Sequence, residues 1–462
     1  MTLSFSTSAL ALVGFLLSGS PSHATEFTDY AAGFSTTTVL AGAHQATTNN
    51  PDGTAINFWS SAFENQPAVN ATLSNPHMAQ ADAYGNIYIA DKSSHAILKI
   101  TTDGLIHTYA GTHLAGFNGD GPAQATTLQL NNPNGLFVFP DGTLYLLDPG
   151  NHRIRRVGVD GVMTTIVNDP EPDWYPSGRA LWVRADEQLI YYADEFTPLV
   201  IPGPANGAVI KQWTPSGGIV TLCDKATGFV NPGNIAVNPV DGKLYVADRA
   251  EDDTTNTLSG LWRIDGTNTR VRVLGNNAAN PITDGLAANN CYMKQVRGVA
   301  FLPNGAYFVC GHKDGSIWYV DTAGIVHRYI YGKGTSDSFS PSTGLHPPIT
   351  ASFYMCQPRA VTVSPDGNLI GVSNDSGFVF KVTSTVVQPL PVDLKPTQLS
   401  SNALHLIWSG LLGHSYVVER TLELQPTNWQ IIGATGSAGG VTEFIDAAAT
   451  QQHAYYRLST PR

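Results

Sequence analysis

The chain reads as an all-β protein, a six-bladed β-propeller closed by an N-terminal strand and followed by a small β-sandwich. Three observations predict this. A pattern of four short alternating strands recurs, as in "PHMAQADAYGNIYIADKSSHAILKITTDGLIHTYAG" (Pro76 to Gly111) and "PNGLFVFPDGTLYLLDPGNHRIRRVGVDGVMTTIVN" (Pro133 to Asn168). The sixth copy stops after three strands, and a match to the missing fourth stands near the other end of the chain. Charged residues are only 13% whereas Gly (45) and Pro (29) are plentiful, which suits many strands and tight turns, because long surface helices would carry more Glu and Lys.

At 462 residues the chain exceeds one ordinary core. Residues 1–24, "MTLSFSTSALALVGFLLSGSPSHA", hold an apolar run from Ala9 to Leu17 and a small-x-small ending at Ser22, His23 and Ala24, the pattern of a signal peptide. A secreted or periplasmic location is therefore expected. No later apolar run approaches the roughly 20 residues of a membrane helix, so membrane insertion is not expected. The net charge of -11 and pI near 5.5 exclude general nucleic-acid binding, which needs a basic face. A monomer is expected.

The propeller is assigned to residues 25–385. After the two copies quoted, further ones begin near Gly178, Gly233 and Arg297, and the sixth is "RAVTVSPDGNLIGVSNDSGFVFKVTS" from Arg359. "TTTVLAGAH" (Thr36 to His44) matches "IHTYAGTH" (Ile106 to His113), so an N-terminal strand is expected to complete the last sheet and remove its exposed edge. The recurrent Asp91, Asp148, Asp194 and Asp248 at the ends of second strands are read as turn caps.

These repeats resemble the NHL-repeat family: "DGTLYLLDPGNHRIRRV" carries its Gly turn, Asp and Asn-His-Arg-Ile element, and "FNGDGPAQATTLQLNNPNG" is similar to its inter-blade loop. The resemblance spans about Thr36 to Lys381 and implies the propeller fold. It includes enzymes and binding platforms alike, so it transfers no activity. His95 and His152 fall in that loop element and are expected to serve its geometry.

Residues 386–396 form a proline-interrupted linker, and 397–462 a small sandwich resembling fibronectin-III-like modules of exported bacterial proteins, with Trp408, Tyr416, Trp429, Phe444 and Tyr456 expected in its core. Cys223 and Cys310 match small strand residues and are expected as buried thiols, while Cys291 and Cys356 lie on equivalent loops whose pairing stays open.

Function is sought where the chain enters each innermost strand. Aligning the six copies places His77, Asn134, Arg179, Gly233, Arg297 and Arg359 at equivalent sites, expected to ring the channel mouth. Three guanidiniums, an imidazole and an amide suit an anionic ligand, because Arg forks match carboxylate, sulfate or phosphate. Alternatively each Arg pairs with an Asp or a carbonyl of a neighbouring blade. Trp174, Tyr292 and Tyr354, each five residues ahead of a ring arginine, either flank a sugar or pack the inter-blade loops.

With no carboxylate in the ring, a calcium-dependent lactonase of the gluconolactonase type is disfavoured. No cofactor is expected. Structural calcium at "DRAEDDTTNT" is the one metal considered, and a solvated acidic loop is the competing reading. HExxH, GxSxG and P-loop signatures are absent from the chain after residue 24. The first expectation is an exported recognition protein for an acidic or sulfated glycan or a protein partner. The alternative is a lyase or hydrolase of uronate-containing carbohydrate, with His77 as base and Tyr354 or Tyr292 as acid.

Overall fold

Period-two alternation of apolar residues folds each repeat into one antiparallel sheet. In a computed structural model the described residues are 34–42, 56–170, 179–194, 207–249, 259–277, 279–302, 304–312, 315–330, 358–365, 367–374 and 377–384, together with 395–400, 403–410, 415–422, 429–436, 440–447 and 455–459. The chain divides into two units, one ending at Leu390 and one running from Pro391 to Arg462. Residues 1–24, Trp174, Tyr354 and Cys356 lie outside the described residues.

The first unit is a six-bladed propeller, as expected. Blade 1 pairs Pro76–Ala81, Ile87–Asp91, Ala96–Ile100 and Leu105–Ala110 in that order, with Gln66–Pro67 added outside. Blade 2 pairs Leu136–Val138, Leu144–Asp148, Arg153–Val157 and Val162–Asn168, with Ala123–Gln124 outside. Blade 3 consists of Leu181–Val183, Ile190–Asp194, Val209–Thr214 and Gly218–Cys223. Blade 4 consists of Pro232–Val237, Leu244–Asp248, Gly260–Gly266 and Thr269–Leu274. Blade 5 consists of Val296–Phe301, Tyr307–Gly311, Ile317–Val320 and Val326–Ile330.

Blade 6 supplies Pro358–Val363, Leu369–Ser373 and Phe378–Ser384, and its fourth strand is Phe34–Ala41 from the N-terminus. The register runs from Phe34 opposite Ser384 to Ala41 opposite Val379. Gly42, just past this strand, has φ +105° and a carbonyl neighbour 2.2 Å from where a Cβ would stand. Gly111, just past the fourth strand of blade 1, has φ +94° and the same close approach at 2.4 Å. The matched "AGAH" and "AGTH" thus mark one structural position, open only to glycine.

Packing between blades closes the ring. Innermost strands touch in succession, blade 6 against blade 1 included. Apolar clusters fill every interface, for example Phe308, Phe378 and Phe380 between blades 5 and 6. Side-chain bonds reinforce it: Thr362 donates to the Ala79 carbonyl at 2.7 Å, and Val138 N donates to Gln80 at 2.7 Å. Ile87–Asp91, Leu144–Asp148, Leu244–Asp248, Tyr307–Gly311 and Leu369–Ser373 are buried at every position, being covered by neighbouring sheets on both faces. Among the described residues no disulfide forms, and Cys223, Cys291 and Cys310 are buried thiols.

The second unit has two three-stranded sheets, Lys395–Ser400, Ala403–Gly410 and Gly440–Asp446 in one, Gln430–Gly436, Ser415–Thr421 and Tyr455–Ser459 in the other. Leu406, Tyr416, Val418, Tyr456 and Leu458 form the core, with Phe444 packed against it, whereas Trp429 is only half-buried. Its first strand begins at Lys395, inside the stretch read as linker. Pro396 is tolerated there because that strand lies at a sheet edge. Asp446 accepts from the Tyr456 hydroxyl at 2.8 Å and from Arg420 at 2.7 Å.

Deleting residues 34–41 should lower the thermal midpoint by roughly 5 °C or more, the scale of about 2 kcal/mol, and promote self-association through the bared edge of Phe378–Ser384. Calorimetry and sizing chromatography measure both, and an unchanged midpoint would remove the N-terminal strand from the closure.

Candidate functional site

Four of the six residues aligned from the sequence share one register position, because of an extra residue in the ladder. Pro76 lies opposite Asp91 and Met78 opposite Ala90, so His77 has no cross-strand partner. The same skip falls on Gly233, Arg297 and Arg359. In blades 2 and 3 regular pairing starts only at Leu136 and Leu181, after Asn134 and Arg179. Such a bulge breaks the alternation of faces and re-aims its side chain. Two residues earlier, Asn75, Asn132 and Gln295 hold left-handed backbone at φ +93°, +57° and +53°, turning the chain into the strand.

What holds the lead-in of blades 1, 2 and 4 is a carboxylate. Ser74 N donates to Asp91 at 2.8 and 2.9 Å, Asn131 N to Asp148 at 2.7 Å, and Asn231 N to Asp248 at 2.7 Å. This corrects the reading of these aspartates as turn caps. Asp91 and Asp148 stand before short 3-10 turns, yet neither side chain caps them. The buried amides of the incoming loop need acceptors, and the carboxylates meet that need instead. Burial pushes Asp91 up to about 7 against its hydrogen bonds, and Asp148 to about 6 against the attraction of Arg155. Asp248 is likewise turned inward, and Glu251, Asp252 and Asp253 of the acidic loop lie outside the described residues.

Where the bulge residue is arginine, this carboxylate is missing or engaged. Blade 5 has Gly311 in its place opposite Val296, and blade 6 has Ser373 opposite Pro358. Arg359 Nε instead donates to Asn374 at 3.0 Å. In blade 3 Asp194 remains but binds Lys211 at 3.0 Å, and Lys211 also binds Asp169 at 2.9 Å. Burial opposes the charge on Lys211, and the two carboxylates outweigh it, raising its pKa.

Arg179 and Arg297 are each 2% exposed, and Arg359 is half-buried. Arg297 Nε and Nη1 have no hydrogen-bond partner among the described residues. Gly233, the ring member without a side chain, has no room for one: a Cβ would stand 2.4 Å from the Arg297 carbonyl oxygen. His77 is buried, and its Nδ1–H donates to Oδ1 of Asn134 in the next blade. Its Nε2 is buried and has no partner among the described residues. Burial, then the charges of Arg359, Lys92 and Arg179, hold its pKa well below 6.5, so the ring is neutral at pH 7.

Tyr292 is half-buried in the loop before blade 5, where its amide donates to the Asn280 carbonyl at 2.7 Å. His95 and His152 end short turns in left-handed backbone at φ +54° and +58°. Asn374 and Lys92 were missed by sequence reading. The break from "YIAD" to "GVSND" was the available signal for Asn374, and nothing in the sequence marks Lys92. Among the described residues no group of three His, Cys, Asp or Glu is placed to hold a metal ion.

No family model matches the chain. A stretch of 107 residues, 20% of this chain, is 35% identical to Teneurin-3 of Danio rerio, and one of 103 residues, also 20%, is 32% identical to Teneurin-1 of Homo sapiens. The chain spans 4% of the length of these curated relatives. Among solved structures, a protein of unknown function from Bacteroides thetaiotaomicron VPI-5482 is similar at a TM-score of 0.52 and 13% identity, covering 75% of each chain. An auxiliary nutrient binding protein from Bacteroides ovatus ATCC 8483 is similar at 0.49 and 13%, covering 75% of this chain and 76% of that one. The first likeness, at that identity, speaks for the propeller fold alone.

Asp148→Ala should cost about 3–5 kcal/mol in denaturant unfolding, since it leaves the fully buried Arg155 without the carboxylate 3.1 Å away. Because His77 is neutral when folded and protonates below 6.5 when unfolded, its share of stability is present above that pH and lost as pH falls through the depressed folded value. Thermal midpoints from pH 7 to 5 should fall less steeply for His77→Gln than for the parent protein.

Proposed function

We propose that this is an exported recognition protein that binds an anionic ligand, an acidic or sulfated glycan or an acidic protein segment, at the ring of bulge residues. The observation that carries the reading is the coincidence of arginine at the bulge with loss or engagement of the second-strand carboxylate, at Arg297 with Gly311, Arg359 with Asn374, and Arg179 with Asp194 and Lys211. At Arg297 the buried guanidinium keeps two donors without an acceptor among the described residues, which is costly, and an arriving anion offsets that cost while matching the fork in a bidentate way. Trp174 is assigned to the same ligand by its spacing from Arg179. The leader pattern of residues 1–24 supports export.

A second reading, a lyase or hydrolase of uronate-containing carbohydrate, is favoured by one feature. Nδ1 of His77 is held by Asn134 while Nε2 keeps its lone pair, the state a general base requires, with Tyr354 or Tyr292 as the acid. Formation of unsaturated uronate ends, read by ultraviolet absorbance, tests it.

Arg297→Ala with Arg359→Ala should weaken binding of sulfate and of acidic glycans at least tenfold in calorimetric titration, with an unchanged circular dichroism spectrum. Undiminished binding by that variant would overturn the site.

A further inference from the structure

The ring contains two kinds of buried group whose hydrogen-bonding capacity is unused, and they ask for different things. Arg297 presents Nε and Nη1, both donors, neither with a partner among the described residues. They call for an acceptor that is preferably anionic. His77 presents Nε2. With its proton on Nδ1, facing the Asn134 amide oxygen, Nε2 is an acceptor and calls for a donor. The charges acting on His77, from Arg359 of blade 6, Arg179 of blade 3 and Lys92 at the close of the second strand of blade 1, all favour that neutral state. A buried acceptor left without a donor costs about 1–3 kcal/mol, and so does a buried donor left without an acceptor. A ligand that meets both needs carries an anionic oxygen and a hydroxyl on one framework. Sulfate and simple carboxylates carry no donor and leave His77 unsatisfied unless it takes up a proton against three cationic neighbours.

We propose that the ligand is a hydroxy-carboxylate of the uronate class, its carboxylate received by the Arg297 fork and one of its hydroxyls donating to Nε2 of His77. This rests on the anion-binding reading and narrows it: His77 is the group that selects hydroxylated acids over bare anions, and Asn134 is the positioning residue that fixes its tautomer.

The test compares D-glucuronate with cyclohexanecarboxylate, which places the same carboxylate on a six-membered ring without hydroxyls, and with D-glucuronamide, which keeps the hydroxyls and loses the charge. Calorimetric titration at pH 7.5 of the full chain should give D-glucuronate at least tenfold tighter binding than either. His77→Phe should bring D-glucuronate and cyclohexanecarboxylate to within about twofold of each other, whereas His77→Gln, which retains an amide oxygen, should keep most of the preference. Equal binding of the two acids by the parent protein would overturn the hydroxyl assignment and leave anion recognition standing, provided the double arginine variant loses both. Equal binding of D-glucuronate and D-glucuronamide, or no binding of D-glucuronate, cyclohexanecarboxylate and sulfate alike, would overturn the anion reading and this inference with it.

Discussion

One residue too many at the start of the innermost strand governs what this molecule can present to a ligand. A regular ladder would send alternate side chains into the neighbouring blades, where Gly298, with Cys310 Sγ and Val361 N at 2.6 and 3.0 Å from a notional Cβ, leaves space for little more than hydrogen. The bulge takes His77, Gly233, Arg297 and Arg359 out of that alternation. It is held from behind by Asp91 and Asp248 through the main chain of the arriving loop, and Asp148 acts likewise in blade 2. The polar ring is therefore built by backbone geometry and main-chain hydrogen bonding, and residue identity at the bulge differs between blades, with glycine required at 233.

That variation has an electrostatic limit. A carboxylate beside the bulge suits His77, Asn134 and Gly233, which carry no charge in this environment. Beside an arginine it would make a self-contained ion pair. Blades 5 and 6 give up the aspartate, and blade 3 keeps it but ties it to Lys211, which Asp169 also grips. Side-chain identity at the two positions is thus coupled across each blade by charge.

Much of the architecture was legible in the sequence, since a repeating unit states its own boundaries. The matched glycines at 42 and 111 and the truncated sixth copy together pointed to an N-terminal closing strand, and the alignment of the copies placed His77, Gly233, Arg297 and Arg359 in one register position. What stayed hidden depends on register. The aspartates were visible as a repeat, but their contacts lie 17 residues back along the chain, and only pairing of the strands brings them there. The bond between His77 and Asn134 joins two blades, and no local pattern encodes it. Pro396 misled because a proline excludes a central strand but not an edge.

The pairing of Phe34–Ala41 with Phe378–Ser384 also sets an order of events. During synthesis from the N-terminus, the first strand of the propeller emerges long before its partner and must wait while five complete sheets are made. Loop closure over that span carries the largest entropic cost of the strand pairings in the propeller. Arg359 lies in the sheet completed by this late step, so a product truncated before blade 6 carries blades but an incomplete ring.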